Sequence, residues 1–444
     1  TYCRGTFYEG SIVISHHYET LEIWRHLIMK KLIIPEIYLK NGLANGENPV
    51  ELAKYFSEAG ADAMILYDLS TEDEEHEVNL HTMKEIYRVV EIPLFGGGNI
   101  KRAEDVKKIL YTGCTKAILD YSKESNRSML EEVSKRFGQE KIAVSAVCSE
   151  QLTSDKLLLE EYAGMIVATE ELTDTIYHKY SLPIVVKTEK EDYEIFHILE
   201  KNAVMGVTGA FVSSKTTDFM NLKNRGKQMG IETNVLRSEI SWDELKLNSD
   251  GMVPVIVQDY RTSEVLMLAY MTEESLKKTL ETGLMTYYSR SRNCLWTKGL
   301  TSGHVQYVKS LTTDCDYDTI LAKVSQAGVA CHTGKPSCFF NNMMKKDYKE
   351  SNPRKVFENV YDTIMDRKLH PKEGSYTNYL FDKGIDKILK KVGEEATELV
   401  IAAKNPDAEE IKYEMADFLY HAMVLMVEKG ITWDEIIEEL DNRH

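Results

Sequence analysis

Short β-rich runs alternate with helical patterns eight times between residues 31 and 234, and this alternation restricts the possible folds more than any other feature of the sequence. The β-rich runs are "KLIIP", "DAMILYDL", "IPLFGGG", "TKAILD", "KIAVSAV", "AGMIVAT", "LPIVVK" and "VMGVTGAFV". Between them lie segments such as "NPVELAKYFSEAG" and "KRAEDVKKILYTG", whose apolar residues recur at helical spacing and which end in or near a glycine. Eight such units predict a (βα)8 barrel, the TIM-like architecture in which helices surround a closed parallel sheet.

The pattern changes twice after the barrel. Short strands and turns over 237–345 predict an α+β domain, and amphipathic helical runs over 353–444 predict an all-α domain. A polar stretch without periodicity predicts a linker at 346–352. We therefore expect a multidomain protein in which residues 1–29 are a leader or extension and residues 30–236 form the barrel.

Charge and cysteine usage exclude several classes of function. A net charge of −17 argues against binding of a nucleic-acid backbone, because that activity needs a concentrated basic surface. No apolar run approaches the roughly 18 residues of a membrane span. Seven cysteines, an odd number, are typical of reduced thiols in a cytosolic compartment. We expect a cytoplasmic protein that binds neither nucleic acid nor a membrane.

The stretch "DCDYD" at 314–318 places three carboxylates at alternate positions. If the backbone is extended, Asp314, Asp316 and Asp318 project to one face and Cys315 projects to the other. Mg²⁺ prefers oxygen ligands, so the three aspartates are a candidate magnesium site. A solvated acidic turn would have the same composition.

The sequence "ACHTGKPSCF" further along holds Cys331 and Cys338 in a loop that can double back. Together with Cys315 they offer three thiolates to Zn²⁺ and leave a fourth position open for water, as in catalytic zinc sites. His332 is either the fourth ligand or a general base for that water. The alternative is that these cysteines are buried in the interior without a metal.

The segment "YYSRSRNCLWTKGLTSG" at 287–303 combines basic side chains with hydroxyl groups, which can form charge-assisted hydrogen bonds to phosphate. A solvated basic hairpin is the alternative. Next to two candidate metal sites, the segment predicts a pocket for a phosphorylated substrate. The candidate substrate-binding residues are Ser289, Arg290, Ser291, Arg292, Trp296, Lys298, Ser302 and Gly303.

These three motifs resemble phosphoribosyl-AMP cyclohydrolase, an enzyme of histidine biosynthesis that opens the adenine ring by hydrolysis between N1 and C6. The resemblance covers residues 238–342. It implies Zn²⁺ on Cys315, Cys331 and Cys338 and Mg²⁺ on the three aspartates. It also implies a homodimer whose zinc sites draw cysteines from both chains, with His332 handling the proton.

The helical region carries a second acidic set. If the chain folds back at Asn405–Asp407, the carboxylates of two helices face each other, and Mg²⁺ would relieve their repulsion and bind a triphosphate. Acidic surface helices without a metal are the alternative. The carboxylates are Glu394, Glu395, Glu398, Glu414 and Asp417.

The stretch "GSYTNYLFDKGIDKILKKVGEEATELVIAAK" and its surroundings, residues 353–440, resemble phosphoribosyl-ATP pyrophosphohydrolase of the all-α, MazG-like superfamily. The resemblance implies hydrolysis of phosphoribosyl-ATP to phosphoribosyl-AMP and pyrophosphate, and this product is the substrate of the preceding domain. It implies catalytic carboxylates at Glu394, Glu395 and Glu398. Candidate phosphate contacts are Lys383, Lys390 and Lys391, although lysines on an amphipathic helix are commonly only solvated.

The barrel segments "PVELAKYFSEAGAD" and "IPLFGGGNIKRAEDVKKIL" resemble the ProFAR isomerase and the imidazole glycerol phosphate synthase cyclase. In those enzymes acid/base aspartates end the first and fifth strands, whereas this chain has Tyr38 and Val147 there. The phosphate turn after the seventh strand is replaced by Lys187–Glu189, and Gly96–Gly98 form either part of an anion cradle or a tight turn. We therefore expect a catalytically inactive barrel that serves as a scaffold, an oligomerisation unit or a regulatory binder.

The sequence thus predicts a bifunctional enzyme of histidine biosynthesis with Zn²⁺ and Mg²⁺ as cofactors and phosphoribosyl nucleotides as substrates. One alternative is a house-cleaning nucleoside triphosphate pyrophosphatase with a structural zinc module. A second is an interaction protein that zinc only stabilises, and a third is a barrel that retains isomerase activity.

Overall fold

A computed structural model describes residues 30–146, 149–172, 179–347, 356–405, 408–441 and 443. The predicted leader and the position of Val147 lie outside these residues. The chain divides into two compact units, one up to Asn341 and one from Asn342 onward. In the described part of the chain, no helix combines the length and the apolar character that crossing a membrane requires.

The first unit begins with a parallel sheet that closes on itself. Its first strand is split at Ile34–Pro35, so that β1 pairs with β10 and β2 pairs with β4. Between these ends the order runs continuously from β10 down to β4, so the sheet curls into a barrel, in agreement with the predicted (βα)8 architecture. The strands are β1 Leu32–Ile33, β2 Glu36–Lys40, β3 Leu43–Ala44, β4 Met64–Asp68, β5 Leu94–Gly98, β6 Lys116–Asp120, β7 Ile142–Ala146, β8 Met165–Thr169, β9 Ile184–Lys187 and β10 Val204–Thr208.

Helices cover the outside of the barrel, and two apolar layers result from the alternation along each strand. Outward residues such as Ile37 and Leu39 pack against the helices, and inward residues such as Ile65 and Phe95 fill the interior. The helices are α1 Pro49–Glu58, α2 Asp73–Tyr87, α3 Ala103–Tyr111, α4 Glu124–Phe137, α5 Ser149–Ser154, α6 Lys156–Tyr162, α7 Glu194–Leu199 and α8 Phe219–Gln228.

The remainder of the first unit is an α+β region built on a four-stranded sheet. The strand order is β12-β11-β16-β15, in which β11 and β16 are parallel and the other pairs are antiparallel, and β13 and β14 form a separate hairpin. Its elements are β11 Val253–Asp259, β12 Val265–Met271, α9 Glu273–Thr282, β13 Thr286–Ser289, β14 Cys294–Thr297, β15 Gln306–Thr313 and β16 Ile320–Gln326.

The prediction that "DCDYD" is an extended strand is wrong. Strand β15 ends at Thr313, which pairs with Ile320 on β16, so residues 314–319 must reverse the chain direction. The carboxylate of Asp314 accepts hydrogen bonds from the N–H groups of Asp318 (3.1 Å) and Thr319 (3.2 Å), which is typical of an aspartate in a turn. Tyr317 adopts a left-handed backbone conformation with φ of +65°.

A charged contact joins the barrel to the α+β region. The Nζ of Lys309 on β15 lies 3.2 Å from Oε2 of Glu58, at the end of α1, and 2.7 Å from Oε2 of Glu91. Nearby, Nδ2 of Asn224 on α8 donates to the carbonyl of Glu281 on α9 at 2.8 Å. The barrel is therefore attached to the sheet through β15, the strand that leads into the acidic turn.

The second unit is helical. Helices α12 and α13 pack against each other, α11 packs against α12, and α10 packs against α11, α13 and α14 around a core that includes Ile364, Leu380 and Val424. Pro406 and Asp407 of the predicted reversal lie outside the described residues. The helices are α10 Val356–Leu369, α11 Tyr376–Lys383, α12 Ile385–Ala402, α13 Ala408–Lys429 and α14 Trp433–Asp441.

Candidate functional site

The acidic turn between β15 and β16 brings its three carboxylates together. Oxygen atoms of Asp314, Asp316 and Asp318 lie within 4.8 Å of one another, and all three residues are exposed. Burial acts to raise the pKa of Asp314, but hydrogen bonds from the backbone N–H groups of Thr319 and Asp318 outweigh it and lower the pKa. The carboxylates are thus available as charged oxygen donors, which is the chemistry that Mg²⁺ requires.

The loop that follows β16 brings two of the three cysteines together. The N–H of Gly334 donates to the carbonyl of Cys331 at 3.1 Å, and the N–H of Cys338 donates to Leu266 at 2.8 Å, so the loop doubles back as predicted. Cys331 is buried, and a hydrogen bond with Thr333 (3.0 Å) lowers its pKa. Burial and then the neighbouring Cys331 raise the pKa of Cys338.

Cys315 does not join this pair in a single chain. It is exposed in the acidic turn, and among the described residues the three sulfur atoms do not form a group within 4.8 Å. One chain therefore offers two close thiols, which is fewer than the three protein ligands of a catalytic zinc site. A site that takes Cys315 from a second chain fits this arrangement, and the zinc site stays a prediction.

Lys298 lies beside the thiol pair, although the sequence suggested a phosphate contact. The residue is only 7% exposed and follows β14 directly. Burial lowers its pKa, and the nearby Cys338 and Cys331 oppose that effect. His332 is exposed on the same loop. A cation next to two thiols favours their ionised form, which is the form that binds a metal.

The predicted basic hairpin is present as β13 and β14. Ser289 ends β13, and Arg290–Asn293 form the turn, where Arg290 stacks on the ring of Tyr270 at 4.0 Å. The guanidinium of Arg290 is held in a defined position, which suits recognition of phosphate. The other predicted residues in and after the hairpin are Ser291 and Arg292 in the exposed turn, Trp296 on β14, and Ser302 and Gly303 in the exposed loop before β15.

In the second unit, α12 and α13 bring three of the predicted carboxylates together. Oxygen atoms of Glu395, Glu398 and Glu414 lie within 4.8 Å of one another. Burial, followed by the charges of Glu398, Asp417 and Glu395, raises the pKa of Glu414. The like charges repel one another in this arrangement, and a divalent cation with oxygen ligands would relieve that repulsion.

The other predicted carboxylates and lysines of this unit are arranged differently. Glu394 pairs with Lys391 at 3.0 Å and with Lys390 at 3.4 Å, and the hydrogen bond from Lys391 lowers its pKa. Lys391 also lies 3.3 Å from Oε1 of Glu395. Lys383, at the end of α11, lies over the ring of Tyr379 at 5.9 Å. Lys390 and Lys391 are thus engaged with carboxylates, and Lys391 neutralises part of the acidic cluster.

Two residues at this cluster were not identified from the sequence. His421 lies 3.7 Å from Glu395, and its Nε2 is 3.0 Å from the hydroxyl of Tyr376. His421 is four residues after Asp417 and seven after Glu414, so helical spacing alone indicated that it shares their face.

The mouth of the barrel contains a network around the predicted substitution at Tyr38. The hydroxyl of Tyr38 donates to the buried Glu36, and Lys187 bonds to both the Tyr38 hydroxyl and Oε2 of Glu36, the latter at 3.0 Å. The ring of Tyr38 stacks on Tyr67 with 5.3 Å between centroids. Burial, followed by the charge of Glu36, raises the pKa of Tyr38, so the phenol is neutral at physiological pH.

Close packing accounts for the glycines at the end of β5. A Cβ at Gly98, where φ is +93°, would overlap the backbone of Asp68, and one at Gly97 would approach Ile118 at 3.1 Å. After β9, Oγ1 of Thr188 donates to Oε2 of Glu170 at 2.7 Å. Gly96–Gly98 are the last three residues of strand β5, so the prediction of a tight turn there is wrong, and the anion cradle stays a prediction.

Each of the three regions matches the model of a known protein family. Family models match at residues 39–179 (histidine biosynthesis protein), 267–340 (phosphoribosyl-AMP cyclohydrolase) and 357–444 (phosphoribosyl-ATP pyrophosphohydrolase). These matches define the class: the chain is a bifunctional hydrolase of histidine biosynthesis.

The relatives identify the family. The chain is 54% identical over 209 residues to the histidine biosynthesis bifunctional protein HisIE of Thermoanaerobacter pseudethanolicus, a match that covers 44% of this chain and 97% of that protein. The protein of the same name from Bacillus subtilis is 49% identical over 202 residues, covering 46% of this chain and 96% of that protein. The chain belongs to the HisIE family of bifunctional histidine-biosynthesis proteins.

Proposed function

We propose that the region 353–444 hydrolyses phosphoribosyl-ATP to phosphoribosyl-AMP and pyrophosphate, and that the region 237–345 then opens the adenine ring of phosphoribosyl-AMP. The observation that carries this proposal is the convergence of Glu395, Glu398 and Glu414. It occurs in a chain that is 54% identical to a HisIE relative over the 209 matched residues. The first product is the second substrate, so the two regions would act in sequence.

In the helical unit, Glu395, Glu398 and Glu414 would hold Mg²⁺, with Glu394 and Asp417 at the edge of the site. Mg²⁺ bound there would neutralise triphosphate charge and favour attack of water on phosphorus. Lys391 bridges Glu394 and Glu395 and would turn toward a phosphate once the metal neutralises these carboxylates. This role differs from that of a merely solvated lysine.

In the α+β region, Cys331 and Cys338 would hold Zn²⁺ together with a Cys315 thiolate from a second copy of the chain, which makes a homodimer part of the proposal. Zn²⁺ in such a site supplies Lewis-acid chemistry that activates water near neutral pH. Exposed His332 would move the proton, and Arg290 would orient the substrate phosphate. Asp314, Asp316 and Asp318 would hold Mg²⁺ next to that phosphate.

The barrel is proposed to be catalytically inactive. Tyr38 is half-buried, neutral and bonded to Glu36 and Lys187, so it cannot exchange a proton as an aspartate would. The contacts of Lys309 and Asn224 with the neighbouring region support a role as a scaffold.

Incubation of the full chain with phosphoribosyl-ATP, Mg²⁺ and Zn²⁺ tests the proposal, with pyrophosphate release and the ultraviolet change of ring opening followed separately. Glu398→Ala should abolish pyrophosphate release but leave ring opening of added phosphoribosyl-AMP intact. Cys338→Ala should do the opposite. Glu358→Ala on exposed α10 and Cys114→Ala in the barrel are matched controls that should retain both activities. Faster turnover of dNTPs than of phosphoribosyl-ATP would favour a house-cleaning pyrophosphatase instead.

A further inference from the structure

His421 is a buried polar residue on the face of α13 that carries Glu414 and Asp417. It is 5% exposed, as is Glu395 on the facing helix α12. Buried polar groups are costly unless their hydrogen-bonding atoms have partners, so the partners of this imidazole indicate its role.

Both ring nitrogens of His421 have partners. Nδ1 lies 2.9 Å from the carbonyl oxygen of Asp417, which can only accept, so Nδ1 carries the proton and donates it. Nε2 is then an acceptor, and the hydroxyl of Tyr376 on α11 donates to it at 3.0 Å. The tautomer is therefore fixed by one contact within α13 and one from α11.

Aromatic rings fix the plane of the imidazole. Tyr420 and Tyr376 both meet it edge to face, at centroid distances of 5.3 Å and 5.9 Å. The hydroxyl of Tyr420 is bonded in turn to Thr377 at 2.7 Å. The ring is thus held by two helices and has little freedom to rotate.

The proton on Nδ1 also faces the metal cluster. Nδ1 lies 3.7 Å from Oε1 of Glu395, which is too long for a hydrogen bond, so the contact is an electrostatic one between a fixed N–H and a carboxylate. Lys391 lies 3.3 Å from the same oxygen. Oε1 of Glu395 is therefore flanked by the ammonium group of Lys391 and by the N–H dipole of His421, which together restrict the orientation of the buried carboxylate.

We propose that Tyr376 and His421 are positioning residues that hold Glu395 in the orientation in which it binds a divalent cation. The inference rests on the proposed pyrophosphohydrolase function and assigns two residues that act through Glu395 without contacting the substrate. Groups of this kind that orient ligand side chains commonly contribute about 10- to 100-fold to metal affinity or activity.

Calorimetric titration of the full chain with Mn²⁺, in the absence of substrate, tests this inference. The relevant part of the measured binding is the component that Glu398→Ala abolishes, because this distinguishes the site on α12 and α13 from binding at the acidic turn.

Tyr376→Phe removes only the hydroxyl and should weaken this component about tenfold, and His421→Leu should weaken it by about 10- to 100-fold. His421→Asn, whose amide N–H can replace the Nδ1 proton, should recover most of the affinity. Tyr413→Phe, on the exposed side of α13, is the matched control and should bind as the wild type does.

Kinetics give a second readout that loss of folding would not imitate. If Tyr376 positions Glu395, Tyr376→Phe should raise the Mn²⁺ concentration needed for half-maximal rate, while kcat at saturating Mn²⁺ changes less than threefold. If the Mn²⁺ affinities of both Tyr376→Phe and His421→Leu were within twofold of wild type, this inference would be overturned, but the proposed metal site would not. Absence of the Glu398-dependent component in the wild type would overturn the proposed metal site, and the inference with it.

Discussion

The ammonium group of Lys187 lies 3.0 Å from Oε2 of Glu36 in the mouth of the barrel. Glu36 is on β2 and Lys187 is at the end of β9, so the contact joins two strands that are far apart in the sequence. The Glu36 side chain is almost fully buried, so the contact with Lys187 compensates the cost of burying its charge.

Lys187→Met should destabilise the barrel. It leaves the Glu36 carboxylate buried without its cation, at a cost of about 1–3 kcal/mol in the free energy of unfolding. Chemical denaturation of the full chain, followed by circular dichroism, measures this change. The double variant Glu36→Leu/Lys187→Met removes both charges and should recover most of the loss. Equal losses in the single and double variants would contradict a role for the ion pair.

Asp68 at the end of β4 gives the barrel a predictable pH dependence. Burial acts to raise its pKa, but hydrogen bonds from His76, Asn79 and Ser70 outweigh that effect and lower it below the ordinary value of 3.8. A lowered pKa means that the contribution of Asp68 to stability is fully present above about pH 4 and is lost as the pH falls through the native pKa.

The measurement compares wild type and Asp68→Asn between pH 2.5 and pH 7. The difference in the free energy of unfolding should be constant, at about 1–3 kcal/mol, above roughly pH 4.5 and should shrink below pH 4. Asp250→Asn, in an exposed loop, should differ little from wild type at any pH. A difference that grows as the pH falls would contradict the assignment.

Local patterns were sufficient to predict the barrel, because each strand and helix has its own periodicity. They failed at "DCDYD", where alternating residue types suggested a strand. The reversal depends on the pairing of Thr313 with Ile320, which only the folded sheet determines. The aspartates were nonetheless correctly expected to cluster, since residues two positions apart remain close in either conformation.

Contacts between residues far apart in the sequence limited how much of the candidate sites could be predicted. Spacing along α13 could have identified His421, but its partner Tyr376 is 45 residues away and belongs to another helix. Likewise, Lys187 was recognised as a departure from the phosphate turn, whereas its pairing with Glu36 spans 151 residues. Lys298 was expected at the substrate, and its position beside Cys331 depends on packing that no local pattern encodes.

Lys309→Met should weaken the attachment of the barrel to the α+β region. Lys309 is held by Glu58 and Glu91, and hydrogen bonding to Glu91 raises its pKa despite the opposing effect of burial. Loss of the ammonium group leaves the nearly buried Glu58 without this cation, so unfolding should require about 1–2 kcal/mol less free energy and should become less cooperative.

Differential scanning calorimetry shows whether the two regions still unfold together. Lys323→Met, on the exposed face of the neighbouring strand β16, is the matched control and should leave the transition unchanged. An unchanged single transition in Lys309→Met would contradict the coupling.

Glu414→Gln should change the stability of the helical unit in opposite directions with and without a metal. Without one, burial and the charges of Glu398, Asp417 and Glu395 disfavour the ionised form of Glu414, so the neutral amide should raise the melting temperature in EDTA by a few degrees. With 5 to 10 mM Mg²⁺, the wild type should gain more stability than the variant, because it has one more charged oxygen ligand, and the order of the melting temperatures should reverse. Thermal unfolding followed by circular dichroism in both buffers measures this, with Glu358→Gln on α10 as the control. Melting temperatures that keep the same order in EDTA and in Mg²⁺ would mean that Glu414 does not bind the cation. Glu414 would then only repel Glu395 and Glu398 across the two helices.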